Sequence, residues 1–319
     1  LGTNAGGYSL SDYGGIGAAE GDVAWVGADI PDGGGVAIFR TNNPANYTLD
    51  ERLDAAGYTT APELYREGAG FAVGVEASAN LEYSFFRDFR NDGTGHPKDT
   101  GNNVTDFLSA DTNHTAGLGQ GQKLGAPGPE NLASPIQDNS TFDVLLLDPN
   151  ASSSSPTNRT RKFCPGEAEE CNPNRSMFGT MSIRRTFRNN TGGDVTQLRF
   201  RIVDVTTFPP PNGTTADLRA ISSEDITVNV NGTDVDVRGT QLEEPPTQAL
   251  GGGWNSSMNV GFITLEEPLP DGDSVSVQFL VGVQQTGSFR FFINIEAVSV
   301  PNDSLGPLKW DNVTRTRKK

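Results

Sequence analysis

The second half of the chain alternates apolar and polar residues with a period of two. "SVSVQFLVGV" sets Val275, Val277, Phe279, Val281 and Val283 on one face, against Ser274, Ser276 and Gln278. "FRFFINIEA" sets Phe289, Phe291, Ile293, Ile295 and Ala297 against Arg290, Asn294 and Glu296, and the intervening "QQTG" predicts a hairpin. "TMSIRRTF" aligns Met181, Ile183 and Phe187, although Arg185 falls on that same face. "QLRFRIVDV" aligns Leu198, Phe200 and Ile202, with Arg199, Arg201 and Val203 opposite, and "NNTGGD" predicts a turn between these two runs. The outward arginines suit edge protection and solubility. "DITVNV", "VDVRG" and "VGFITL" add further strands. Many short strands divided by turn signals predict an antiparallel β-sandwich.

The first third has a different texture. "GVAIFR" and "LEYSFFRDF" predict strands, and "TLDERLDAAG" a helix of at most two turns closed by Gly57. "NDGTGHPKDTGNNVTD" is a long polar loop before "FLS", and "GAPGPENLASP" at 125–135 marks a domain boundary.

Composition supports this. Gly 38 and Pro 20 suit many turns, and 319 residues suffice for two cores. A net charge of −16 makes nucleic acid and anionic membrane surfaces poor partners for the chain as a whole. It suits either a solubilising surface or adaptation to high salt. No apolar run is long enough to span a bilayer, so no membrane span is expected. The start, "LGTNAGGYSL", reads as mature or trimmed rather than nascent.

The triplet N-x-[ST] changes the picture most. It occurs at Asn46, Asn103, Asn113, Asn139, Asn150, Asn158, Asn174, Asn189, Asn212, Asn231, Asn255, Asn302 and Asn312. That is thirteen acceptors where composition predicts roughly four, which points to N-glycosylation and hence to export. Such a compartment is oxidising, so Cys164 and Cys171, the chain's 2 cysteines, are expected to form a disulfide in a sugar-bearing loop. A metal site at C-x6-C lacks a second ligand pair.

A family resemblance follows from longer blocks. "DIPDGGGVAIFR", "RLDAAGY", "YREGAG", "PKDTGNNVTDF" and "LGAPGPENLASPIQ", in that order, resemble the later part of the lamin tail domain of secreted bacterial proteins. "FGTMSIRRTFRNNTGGDVTQLRFRIVDVTT" through "GVQQTGSFRFFINIEAV" is similar to the β-domain that follows it there. The resemblance implies an all-β chain of two immunoglobulin-like antiparallel β-sandwich domains in tandem, and an exported structural or surface role. The expected limits are 1–132 and 133–300, with a C-terminal extension at 301–319. It implies no catalytic residues.

That family's module begins with strands before "YSLSDY", so the first sandwich is expected to lack its leading strands and to offer an open edge. Leu308, Trp310 and Val313 in the extension are the expected donor strand for the next copy, giving an extracellular or cell-surface homopolymer. An adhesin or carbohydrate-binding module using Trp254 in "GGGWNSS" is the alternative. A hydrolase is the third, resting only on 40 acidic residues. His96 and His114 sit in polar loops without a metal or triad pattern. No cofactor is expected, except that Asp99, Asn102, Asn103 and Asp106 present oxygens able to hold Ca²⁺.

Overall fold

A computed structural model describes residues 31, 33–72, 83–90, 92, 96–113, 121–128, 130–207, 213–244 and 246–301. The donor-strand residues Leu308, Trp310 and Val313, the acceptors Asn212, Asn302 and Asn312, and His114 lie outside the described residues. No helix among the described residues is long and apolar enough to cross a membrane.

The chain is nearly all β. The first part holds β1 (Gly35–Phe39), β2 (Arg52–Gly57), β3 (Tyr83–Arg87), the single-turn α1 (Asn103–Asp106), β4 (Phe107–Asp111) and β5 (Lys123–Leu124). The second part holds β6 (Ile136–Gln137), β7 (Phe142–Leu146), β8 (Arg159–Phe163), β9 (Gly179–Asn189), β10 (Gly193–Val205), β11 (Asp217–Ile221) and β12 (Ile226–Val230). It continues through β13 (Thr233–Gly239), β14 (Gln241–Leu242), β15 (Ser257–Asn259), β16 (Ser274–Gln285) and β17 (Phe291–Pro301). No sheet among the described residues mixes strands from the two sides of 125–135. β1 pairs β2, and β3-β4-β5 forms a second small sheet.

The later strands form two sheets. One runs β14-β15-β10-β17-β6, and the other runs β12-β13-β16-β9-β7, with β11 also on β16 and β8 also on β9. Period-two patterning placed their inner faces well: Val275, Val277, Phe279, Val281 and Val283 are buried, as are Leu198, Phe200 and Ile202. Phe187, Phe200 and Phe279 meet in the centre, with ring centroids 4.6, 4.9 and 6.1 Å apart.

The pattern did not predict partners. β9 and β10 pair with each other nowhere, nor do β16 and β17; each couple sits in opposite sheets. "NNTGGD" and "QQTG" are thus crossings between sheets, not hairpin turns. The reason is that long strands with one apolar face bury it against the facing sheet, and alternation says nothing about the lateral neighbour. The Asn189 side chain holds the first crossing, donating to Gly193 O at 2.8 Å and Leu269 O at 2.9 Å. β12 and β13 do form a hairpin, through Asn231 (φ 52°) and Gly232 (φ 91°), the left-handed pair that a tight primed turn needs.

Two other expectations fail. "RLDAAG" is β2 rather than helix, because β1 offers an edge that an isolated two-turn helix would leave unpaired. "VGFITL" forms no strand: Ile263 closes a turn on Val260, and Thr264 a turn on Glu267.

The two parts touch where the 121–128 segment meets 252–255. Trp254 N donates to Leu124 O at 2.9 Å, and Ala126 N to Trp254 O at 3.2 Å. A Cβ on Gly125 would lie 1.9 Å from Trp254 O, so this approach requires glycine.

Candidate functional site

The glycan acceptors divide by burial. Asn46, Asn139, Asn150, Asn174 and Asn231 are exposed, in short 3-10 turns, loops or the β12–β13 tip, and Asn113 is half-buried. Asn103, Asn158 and Asn189 are fully buried and Asn255 is 9% exposed. Asn103 Nδ2 donates to Ala55 O at 2.7 Å, while its Oδ1 accepts from Gly57 N and Glu67 N. Asn158 Nδ2 donates to Asp148 O and Ser152 O, each at 3.0 Å. Asn255 Nδ2 donates to Ala126 O at 3.0 Å. These four amides satisfy buried carbonyls, where a sugar on Nδ2 has neither room nor a free hydrogen bond. In this fold the four serve as structural side chains.

Cys164 and Cys171 are disulfide-bonded, as the sequence predicted. The loop they close is also tied by Arg175 Nε to Glu170 Oε1 at 2.5 Å.

Trp254 is not presented to solvent on a free loop. Phe86 meets its ring edge-to-face at 4.7 Å, and Lys123 Nζ stands 5.3 Å from its centroid, so the ring is engaged at the junction of the two parts. Beside it, Arg199 and Arg201 are 3% and 9% exposed. They are not solubilising edge charges, which corrects the expectation. Arg199 Nε donates to Glu296 Oε2 at 2.5 Å, Arg201 Nε to Glu296 Oε1 at 2.6 Å, and both guanidinium groups also bond Glu130. Glu243 lies 3.6 Å from Arg199. Low exposure makes such charges tolerable only because each has a partner.

An open apolar groove lies between the sheets. β10 pairs β17 along its length, but on its other side β17 meets only β6, at Glu296–Gln137 and Ala297–Ile136. From Phe291 to Asn294 no described strand covers that outer edge. In the facing sheet, β7 and β8 are the outermost strands beside β9. Between these edges runs a groove of about 390 Å³, lined by Val144, Ile183, Phe289, Phe291, Phe292 and Ile293, among others. Val144 and Phe292 are 51% and 55% exposed, a large share for apolar strand residues. Arg159 and Arg185 are its cations. Burial, and after it the Arg159 charge, depresses the Arg185 guanidinium below its ordinary range. Arg185, the one polar residue on the apolar face of "TMSIRRTF", was the sequence's only sign of this groove. An open edge was expected in the first part; the edge beside this groove lies in the second.

The acidic residues near α1 also gather. One carboxylate oxygen each from Glu67, Asp99 and Asp106 lies within 4.8 Å of the others. Asn102 is not among them: its Oδ1 caps α1 by accepting from Val104 N at 3.2 Å. Burial raises the Asp106 carboxyl, but hydrogen bonds from Thr100, Asn102 and Thr105 outweigh it and hold the group below the usual range. Glu67 was missed, since it comes from a separate loop with no local motif. Loop residue His96 is exposed and joins no such group.

No family model, curated protein or solved structure matches the chain. The resemblance to bacterial lamin tail proteins therefore rests on the sequence blocks alone.

Proposed function

We propose that the protein is a glycosylated extracellular structural subunit whose copies join by strand addition, the acceptor being the groove between β17 and β7–β8. The open edge from Phe291 to Asn294, with half-exposed aromatic residues beside it, carries this reading. An extended segment there gains backbone hydrogen bonds along β17 and covers apolar side chains worth about 1.5–3 kcal/mol each when fully buried. A segment of one copy entering the groove of another is a heterologous contact, which propagates into filaments unless its rotation closes a ring.

The donor follows from charge. Residues 302–319 carry Lys309, Arg315, Arg317, Lys318 and Lys319 against Asp303 and Asp311, the same sign as Arg159 and Arg185. Residues 1–30 carry Asp12, Glu20, Asp22 and Asp29 with no Lys or Arg, around the apolar "DVAWV". The groove therefore suits a strand from 1–30 better than the expected Leu308–Trp310–Val313 segment. Surface sugars at the exposed acceptors keep such filaments solvated. Trp254, on which the carbohydrate-binding alternative relied, is engaged by Phe86 within the molecule, which favours the assembly reading.

The test is electron microscopy and size-exclusion chromatography of the whole chain, with Val144→Glu and Phe292→Glu. Filaments or higher oligomers that dissolve into folded monomers in both variants are expected. A synthetic peptide of residues 18–30 should compete with assembly, and one of residues 303–315 should not. A parent chain that stays monomeric at high concentration, or variants that assemble normally, would refute the proposal.

A further inference from the structure

The groups beside α1 form a second site, independent of assembly. Asn103 builds it: its backbone N–H donates to Glu67 O at 3.1 Å and its Oδ1 accepts from Glu67 N at 3.0 Å. That clamp fixes Glu67, from the turn carrying Gly68 and Gly70, against Asp99 in the loop before α1 and Asp106 at the end of α1. Glu67 is 8% exposed, and its Oε2 is buried without a hydrogen-bond partner. A carboxylate oxygen in that state, held beside two more carboxylates, lacks compensation within the fold.

The neighbouring arginines supply it only in part, their charges opposing the rise of the Glu67 carboxyl without overcoming it. Arg52 Nη2 stops 3.9 Å from Glu67 Oε1, while its Nη1 donates to Glu63 O at 2.7 Å and Arg66 O at 2.8 Å. Arg87 Nη1 stops 4.0 Å from Asp99, and its Nη2 is held by both Asp54 oxygens at 2.5 and 2.7 Å. Both guanidinium groups are thus directed elsewhere. Burial, then the charges of Asp54 and Asp99, raises the Glu67 carboxyl above its ordinary value.

We infer that Glu67, Asp99 and Asp106 hold a divalent cation, Ca²⁺ by its chemistry, which ties the Glu67 turn to the loop before α1. Two oxygens that bind one ion at about 2.4 Å, a Ca²⁺–oxygen distance, lie at most about 4.8 Å apart, and all three pairs here meet that condition. All donors are hard oxygens, and the ligands come from a turn, a loop and the end of α1 with no octahedral preorganisation, which suits Ca²⁺ better than Mg²⁺. Asp99, with a side chain 59% exposed, opens the site to solvent so that water completes the shell.

Isothermal titration of the chelator-stripped whole chain with CaCl₂, and then with MgCl₂, tests this alongside thermal melts. One Ca²⁺ per chain, a Ca²⁺-dependent rise in Tm, and weaker binding of Mg²⁺ are expected. Glu67→Gln should weaken Ca²⁺ binding at least tenfold and abolish the Tm rise. Asp99→Asn, at an exposed position, gives the same readout if the first variant folds poorly. Asp143→Asn, an exposed carboxylate on β7, should bind as the parent does. Absence of binding at millimolar Ca²⁺, unweakened binding in Glu67→Gln and Asp99→Asn, or equal loss in Asp143→Asn overturns the site. Mg²⁺ binding as tight as Ca²⁺ overturns the choice of ion.

Discussion

Replacing Glu296 by Gln keeps shape and removes one charge, which makes the buried ion cluster measurable. Glu296 is 6% exposed and accepts from Arg199 and Arg201 at 2.5 and 2.6 Å. In the variant both guanidinium groups stay buried, retaining Glu130, whose side chain is 44% exposed, and for Arg199 also Glu243 at 3.6 Å. Breaking a buried pair from one side costs about 3–5 kcal/mol, because the remaining charge has lost its compensation. Glu130 moderates this, so about 3 kcal/mol is expected. For a unit of this size that shifts Tm by roughly 6–12 °C at about 2–4 °C per kcal/mol. Urea unfolding followed by tryptophan fluorescence reads the same loss in the midpoint, with an unchanged slope. The exposed pair Arg290–Asp204 is the control: its side chains are 56% and 45% exposed, and Asp204→Asn should cost less than about 1 kcal/mol. A Glu296→Gln variant within about 1 kcal/mol of the parent would mean that the cluster does not hold the β10–β17 face, and the argument would fail.

Glycopeptide mapping of native protein should find sugar at exposed acceptors among Asn46, Asn139, Asn150, Asn174 and Asn231, and none at Asn103, Asn158, Asn189 or Asn255. Occupancy at any of these four in folded protein would contradict the packing. At Asp225, burial raises the carboxyl, but the Gly239 N–H and the Arg238 hydrogen bond and charge outweigh it and lower it from 3.8. A carboxyl lowered on folding stabilises above its unfolded value and loses that contribution as pH falls through the folded value. The stability deficit of Asp225→Asn should therefore be present at pH 6 and vanish as pH drops well below about 3.8, read from urea midpoints across the acid range. A deficit independent of pH would remove the charge from the explanation.

What the sequence made legible was the orientation of strands, and what it hid was their neighbours. Val275 to Val283 and Leu198 to Ile202 read correctly as inward faces because burial acts on each residue alone. Lateral pairing depends on strands more than a hundred residues away, as in Gly193 against Pro301, and alternation carries no trace of it. The disulfide was legible from two cysteines in one loop. The groove was legible only as an anomaly, Arg185 on an apolar face. Glu67 left no sign at all, because its contact with Asp106 is made through the Asn103 clamp and not through local spacing.

The acceptor triplets show why a strong compositional signal was read too broadly. Asn is favoured at corners because its amide both donates and accepts, and a Ser or Thr two residues on bonds back to the same turn. At Asn189 this is visible: Thr191 N and Thr191 Oγ1 both donate to Asn189 Oδ1, at 2.9 and 2.8 Å, while the amide nitrogen satisfies two buried carbonyls. At Asn255 the residue itself takes a left-handed backbone, φ 61°, at the junction with 126–127. The triplet excess thus has two physical sources, interior corners and exposed turns, and only the second bears on export. The five exposed acceptors still outnumber the roughly four that composition predicts for the whole chain. They spread over both parts of the molecule. Asn139 is one of them, yet it lines the open groove, so sugar on that residue would compete with an incoming strand. Assembly and glycosylation at Asn139 should therefore exclude each other, while the other four exposed acceptors lie outside that lining.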